Sequence, residues 1–199
     1  MTLNGWRLIA LVASIILLLL AAAAGWTAGT AEAARMVIRW TARLSLILFL
    51  MAFTASAMVR LAPGAYTIWQ RRNRRYLGLS FALSHFVHLG AILTLASVDP
   101  DLFWKLTNLV TILAGGLAYV FIAAMAASSF DRIAAAMGGR LWRGVHRFGA
   151  WYIYISFIFT FGKRAVMDAA YLPAMVLIAA ALFVRLLAYV QTSRSRVTG

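Results

Sequence analysis

Six apolar runs, each near the roughly 20 residues needed to cross a hydrocarbon layer, follow one another along the chain with short polar joints between them. They cover residues 6–26, 36–59, 76–98, 102–126, 141–161 and 170–189. None shows the period-two alternation between turn clusters that a membrane barrel requires. Pro63, Pro100 and Pro173 fall at the edges of runs, where a missing amide donor matters least. The pattern predicts an all-α, polytopic membrane protein, a bundle of six transmembrane helices, with residues 1–199 as one domain. Arg7 at the start of the first run and "AEA" at 31–33 resemble a cleavable leader. That run exceeds the roughly 7–15 residues of a signal core, so a retained helix is expected.

Composition strengthens this reading. Hydrophobic residues make up 64% of the chain, charged residues only 12%, and the mean hydropathy is +0.86. Apolar surface in that excess cannot be hidden in one small core and needs lipid as its solvent. The formal net charge of +14 would suggest nucleic acid in a soluble protein. Here the arginines flank apolar runs, and no polar domain presents them as one basic face, so contact with membrane lipids is expected and nucleic-acid binding is not. Cysteine is absent, which excludes disulfides, thiolate metal sites and cysteine nucleophiles.

The basic residues also set an orientation. With the N-terminus inside, Arg35, Arg39, Arg43, Lys105, Lys163 and Arg164 lie outside, and the other thirteen of the 19 lie inside. Excess lysine and arginine marks the cytoplasmic side, so both termini are expected there.

Chemistry enters with the three histidines. Ser80, Ser84 and His88 are four apart and share a helix face, and His85 lies about 60° round from His88. His88 falls roughly 20 Å from the inner edge, at or just past mid-membrane. In the fifth run His146, Gly149, Ile153, Ser156 and Thr160 share a face whose small members would admit another helix or a flat ligand. A membrane histidine can serve merely to hydrogen-bond a serine or a carbonyl across a helix interface. Among functional uses, a proton relay would normally include buried carboxylates, yet all five acids lie in or beside joints. A zinc site wants three or four close ligands. Haem iron, which takes imidazoles from facing helices of a bundle, fits best. Arg43, at the end of the stripe Arg35, Arg39, Arg43, and Arg164 beside Lys163 could pair with haem propionates, or snorkel to lipid phosphate. Arg71, Arg72, Arg74 and Arg75 read as a topology signal. Gly115 and Gly116 are expected to allow close helix packing.

The stretch "RRYLGLSFALSHFVH" resembles the start of the third helix in the ferric-reductase-like transmembrane family, in particular the haem-binding membrane subunit of bacterial periplasmic methionine sulfoxide reductase systems. There an arginine pair and "LGL" are followed, ten residues after the glycine, by a haem-ligand histidine; Gly78 and His88 match. The family's fifth helix opens with tryptophan and then "LHR"; Trp142 and "VHR" around His146 match. The family carries a further histidine thirteen residues later, where this chain has Phe159 between Ile158 and Thr160. The ligand sets left open are His88 with His146, His85 with His146, or one histidine alone.

The resemblance implies one haem b in a multi-pass protein of the bacterial inner membrane. Electrons would come from a cytoplasmic flavin reductase or from quinol and leave to a periplasmic redox protein. Only "QTSRSRVTG" follows the sixth run, so flavin or quinone would be supplied by a partner, and the chain would be an oxidoreductase subunit rather than a self-contained enzyme. The competing expectation, motivated by Phe159, is a haem-free relative acting as a membrane scaffold or assembly partner.

Overall fold

The computed structural model describes residues 3–197, with side chains to residue 193; the side chains of Arg194 and Arg196, counted with the inner charges, lie outside it. The first apolar run forms α1 (Trp6–Trp26) and the second α2 (Thr30–Leu61). Then come α3 (Ala65–Arg72), α4 (Arg74–Val98), α5 (Pro100–Leu106), α6 (Leu109–Ala127), α7 (Asp131–Met167) and, after a 3-10 turn at Ala169–Tyr171, α8 (Leu172–Val197). The described residues contain no strand. Five helical stretches are long and apolar enough to cross a membrane: α1, α2, α4, α6 and Ala169–Ser193. The chain therefore has the make-up of a multi-pass membrane protein.

α2 begins six residues before its run and α8 ends eight residues after its own, and three further departures from the sequence pattern each have a local reason. The run at 102–126 is not one helix. Pro100 starts α5, where the Asp99 carboxylate accepts the Leu102 amide at 3.0 Å. Thr107 is then extended, and Asn108 caps α6 by accepting the Thr111 amide at 2.9 Å. Polar caps outweigh continuous apolarity here. Secondly, the joint after α2 holds the unexpected α3. It is folded back onto α2 because Gln70 Nε2 donates to the Met51 carbonyl at 2.8 Å and to Thr54 Oγ1 at 3.2 Å. Thirdly, α7 begins ten residues before the fifth run. At about 1.5 Å per residue it would be too long for one straight span. Gly138, with φ 72° and ψ 151°, breaks the helix between a short first segment, residues 131–137, and the long remainder.

α2 and α4 make the most extensive helix contact, with α1 against both. α8 packs on α2 and α7, and α6 packs on α7. The α2–α4 seam is polar, and Ser45 and Ser84 pair across it. Ser45 Oγ donates to Ser84 Oγ at 2.9 Å, and Ser84 Oγ donates to the Thr41 carbonyl at 3.3 Å. Thr41, Ser45, Ser80 and Ser84 are all fully buried. Between α2, α4 and α7 the core is aromatic: Phe49, Phe53, Phe81, Tyr154 and Phe157 lie with neighbouring ring centres 5.0–6.3 Å apart.

The close helix approach expected at Gly115 and Gly116 does not occur; a Cβ at either would meet nothing within 4 Å. It occurs at Gly149 instead, where a Cβ would lie 3.0 Å from Met125 Sδ and 3.3 Å from Phe121 Cδ1. α6 thus turns its own glycines away from the bundle and meets the glycine of α7.

Candidate functional site

The three histidines fall into two places. His146, on α7, lines a cavity of about 330 Å³ between α2, α4, α6 and α7. Phe49, Phe53 and Phe81 wall one side of it. Ala52, Gly78, Ala82, Ala126 and Ala150 keep it open, and Arg74, Arg75, Ser128 and Asp131 make its polar rim. Neither His85 nor His88 is on this wall.

The ring of His146 is held from two sides. Its Nδ1 lies 3.1 Å from the Trp142 carbonyl, one turn back along α7. A carbonyl only accepts, so Nδ1 carries the proton and the neutral ring keeps its lone pair on Nε2. The Trp142 indole stacks on the imidazole with ring centres 4.3 Å apart, and its own Nε1 donates to the Ser128 carbonyl at 2.9 Å. The start of α7 is thereby tied to the end of α6 around the histidine.

At the rim, Arg75 and Asp131 form an ion pair at 3.0 Å, the sole salt bridge among the described residues. Its aspartate side chain is 92% exposed, so the pair adds little stability. Arg74 reaches Ser56 Oγ at 3.3 Å. The sequence marks both arginines only as a topology signal; the fold brings them to the cavity. Arg185, from α8, donates to the Phe53 carbonyl at 2.7 Å with its guanidinium 4.1 Å over the Phe53 ring. It braces the opposite side of the same aromatic wall.

His88 stands elsewhere, against α2. Its Nδ1 is 3.0 Å from both the Ile38 carbonyl and Thr41 Oγ1, while the Thr41 hydroxyl donates to the Val37 carbonyl at 2.6 Å. His88 therefore also protonates Nδ1 and keeps its lone pair on Nε2. His85 lies beside it with ring centres 5.1 Å apart and planes 16° from parallel. It also contacts Phe81, Tyr119 and Phe157 at 5.3, 5.1 and 6.0 Å. The Nδ1 of His85, the hydroxyl of Tyr119 and the hydroxyl of Ser80 are buried without a hydrogen-bond partner among the described residues.

Arg43 and Arg164 come together as a third group. Their guanidiniums lie 5.6 and 5.7 Å from the Tyr171 ring centre, and Arg164 Nη1 donates to the Tyr171 hydroxyl at 3.3 Å. Arg43 also covers Trp40 at 5.0 Å. Neither arginine is on the wall of the His146 cavity. Phe159, which stands at the family's further histidine position, is 74% exposed on the outside of the bundle. Phe157, two residues earlier, fills the interior instead.

The arrangement offers one oriented imidazole in an apolar cavity rimmed by guanidiniums. It offers a second pair of imidazoles, one aromatic ring away through Phe81. Tyr119, Thr41 and Ile38 escaped the sequence reading because their roles depend on helix rotation, which no spacing within one helix reports. No protein-family model matches the chain, and no curated protein or solved structure is significantly similar to it.

Proposed function

We propose that the chain is a haem b-binding membrane subunit that carries electrons across a bacterial inner membrane, from a cytoplasmic reductase or quinol to an acceptor outside. The supporting observation is the cavity at His146, whose Nε2 lone pair is left available by the Nδ1 bond to the Trp142 carbonyl. The donor set fits haem on one histidine: neutral imidazole for iron, apolar and aromatic walls for the ring, Arg74 and Arg75 for the propionates. Haem, when bound, supplies a one-electron iron couple. His146 would ligate the iron and Trp142 would fix its ring plane. Phe49, Phe53 and Phe81 would keep water out.

In this reading α7 beyond Gly138 is the fifth of six spans, and both termini face the cytoplasm, in line with the bias of the basic residues. From the cavity wall, Phe81, His85 and His88 succeed one another at ring-centre separations of 5.3 and 5.1 Å. They lead along α4 away from the arginine-rich end.

The haem-free scaffold is favoured by one observation, the outward-facing Phe159. Proteoliposomes separate the two. The chain reconstituted with haem should pass electrons from a membrane-soluble quinol to ferricyanide on the far side of the bilayer. The His146→Ala variant should not. Equal rates with wild type, variant and empty vesicles would overturn the electron-transfer reading and leave the scaffold.

A further inference from the structure

Arg43 and Arg164 meet far from the arginines that rim the His146 cavity. Arg74 reaches Ser56, which lies 13 residues, or about 20 Å, along α2 from Arg43. We propose that Arg43 and Arg164 together hold the phosphate of one anionic phospholipid.

The fold, and not sequence proximity, assembles the pair, one residue from α2 and one from α7. Their guanidiniums stand 5.6 and 5.7 Å from one point, the centre of the Tyr171 ring, and Arg164 Nη1 donates to the Tyr171 hydroxyl at 3.3 Å. That ring can seat two cations, but it carries no charge to neutralise them. Arg43 is partly buried and makes no hydrogen bond or ion pair with any described residue; its other neighbour is the Trp40 ring at 5.0 Å. Asp168, four residues after Arg164, turns its carboxylate to the Ala170 amide at 2.9 Å instead. The salt bridge of the described residues, Arg75 with Asp131, belongs to the cavity rim. Two guanidiniums gathered without a counter-charge repel each other unless an anion joins them, and phosphate suits their planar donor geometry.

Depth identifies the source of that anion. Arg43 lies 17 residues, or about 25 Å, along α2 from the exposed Arg60, close to the roughly 30 Å of a hydrocarbon layer. Its guanidinium therefore reaches the level of lipid phosphates. Trp40, 50% exposed, stands one turn further out, as an interfacial tryptophan would. One turn deeper on the same face, Ile47 is 49% exposed and offers apolar surface to an acyl chain. Arg39, also exposed, follows Arg43 outward, so the ammonium of a zwitterionic headgroup would meet a further cation there. A headgroup of net negative charge meets none of that repulsion. The site stands apart from the His146 cavity; only its assignment to the outer leaflet rests on the orientation proposed above.

The test titrates the full chain, purified in detergent, with phosphatidylglycerol or phosphatidylcholine of matched acyl chains and weighs the complexes by native mass spectrometry. The first phosphatidylglycerol should bind on the order of tenfold more tightly than the first phosphatidylcholine. Arg43→Gln and Arg164→Gln should each remove most of that preference, with haem content unchanged. The double variant Arg71→Gln/Arg72→Gln, at exposed arginines of α3, should keep it. A second measurement needs no variant to fold. Phenylglyoxal, which modifies arginine, should label the exposed Arg164 of wild type in phosphatidylcholine vesicles and be blocked when phosphatidylglycerol is included. Inorganic phosphate should leave the labelling unchanged. Equal affinity for the two lipids would overturn the proposal, and so would an equal loss of preference in the α3 variant. Protection by inorganic phosphate would overturn it as well, since the site would then take a free anion. Haem lost from Arg43→Gln or Arg164→Gln would overturn it too, because the pair would then belong to haem propionates. Lipid preference and labelling read the same whether or not the chain carries haem.

Discussion

The carbonyl of Trp142 takes the Nδ1 proton of His146 at 3.1 Å while the indole of the same residue covers the imidazole at 4.3 Å. One residue thus fixes both the protonated nitrogen and the ring plane. Trp142→Phe keeps a stacked ring but loses the bond from Nε1 to the Ser128 carbonyl, for a net cost of about 1 kcal/mol. Haem retention should survive this change. Trp142→Leu removes the stacking as well and should release most of the haem. Haem per chain after detergent purification, beside the unfolding midpoint, separates the two effects.

Packing at the α6–α7 contact gives a second test. A side chain at Gly149 must displace Met125 and Phe121, so Gly149→Leu should destabilise the protein by about 1–3 kcal/mol. Gly115→Leu meets open space and should stay within about 0.5 kcal/mol of wild type. Denaturant titration in micelles would show the contrast. Equal effects at both positions would contradict the observed rotation of α6.

Arg185 links α8 to α2 through the Phe53 carbonyl and ring. Arg185→Leu should lower stability by about 2 kcal/mol, since a charged hydrogen bond and a cation–π contact are lost together. Arg35, an exposed arginine on α2, is the control: Arg35→Leu should change stability by about 0.5 kcal/mol or less.

The rim ion pair separates charge from fold. Asp131→Asn removes an exposed partner and should shift stability by about 1 kcal/mol at most. It also frees Arg75 for an anionic group, so haem should be held as well as in wild type or better. Arg75→Ala should instead weaken haem retention. Competition with apomyoglobin, which strips weakly held haem, would rank the three proteins.

Much of the fold was legible because lipid imposes a simple rule on sequence. α1 follows its apolar run residue for residue, and α4 differs from its run only by starting at Arg74. What escaped was set by local polar chemistry: the caps at Asp99 and Asn108 that split the fourth run, and the backbone reversal at Gly138. The shared face of Ser80, Ser84 and His88 was readable from spacing, and that face is the one turned to α2. Rotation of one helix against another was not readable. Spacing within α4 and α7 could not tell that His146 faces a cavity while His88 faces Ile38, nor that Arg74 and Arg75 reach the cavity rim. It also could not tell that the Gly115–Gly116 pair looks away from its neighbours.

Haem quantified per chain in wild type, His146→Ala and His88→Ala, each purified in detergent after expression with ample haem, tests the central claim most directly. The account predicts one haem in wild type and in His88→Ala, with a five-coordinate ferrous spectrum that shifts on adding carbon monoxide, and almost none in His146→Ala. Haem retained by His146→Ala, or no haem in any of the three, would contradict it.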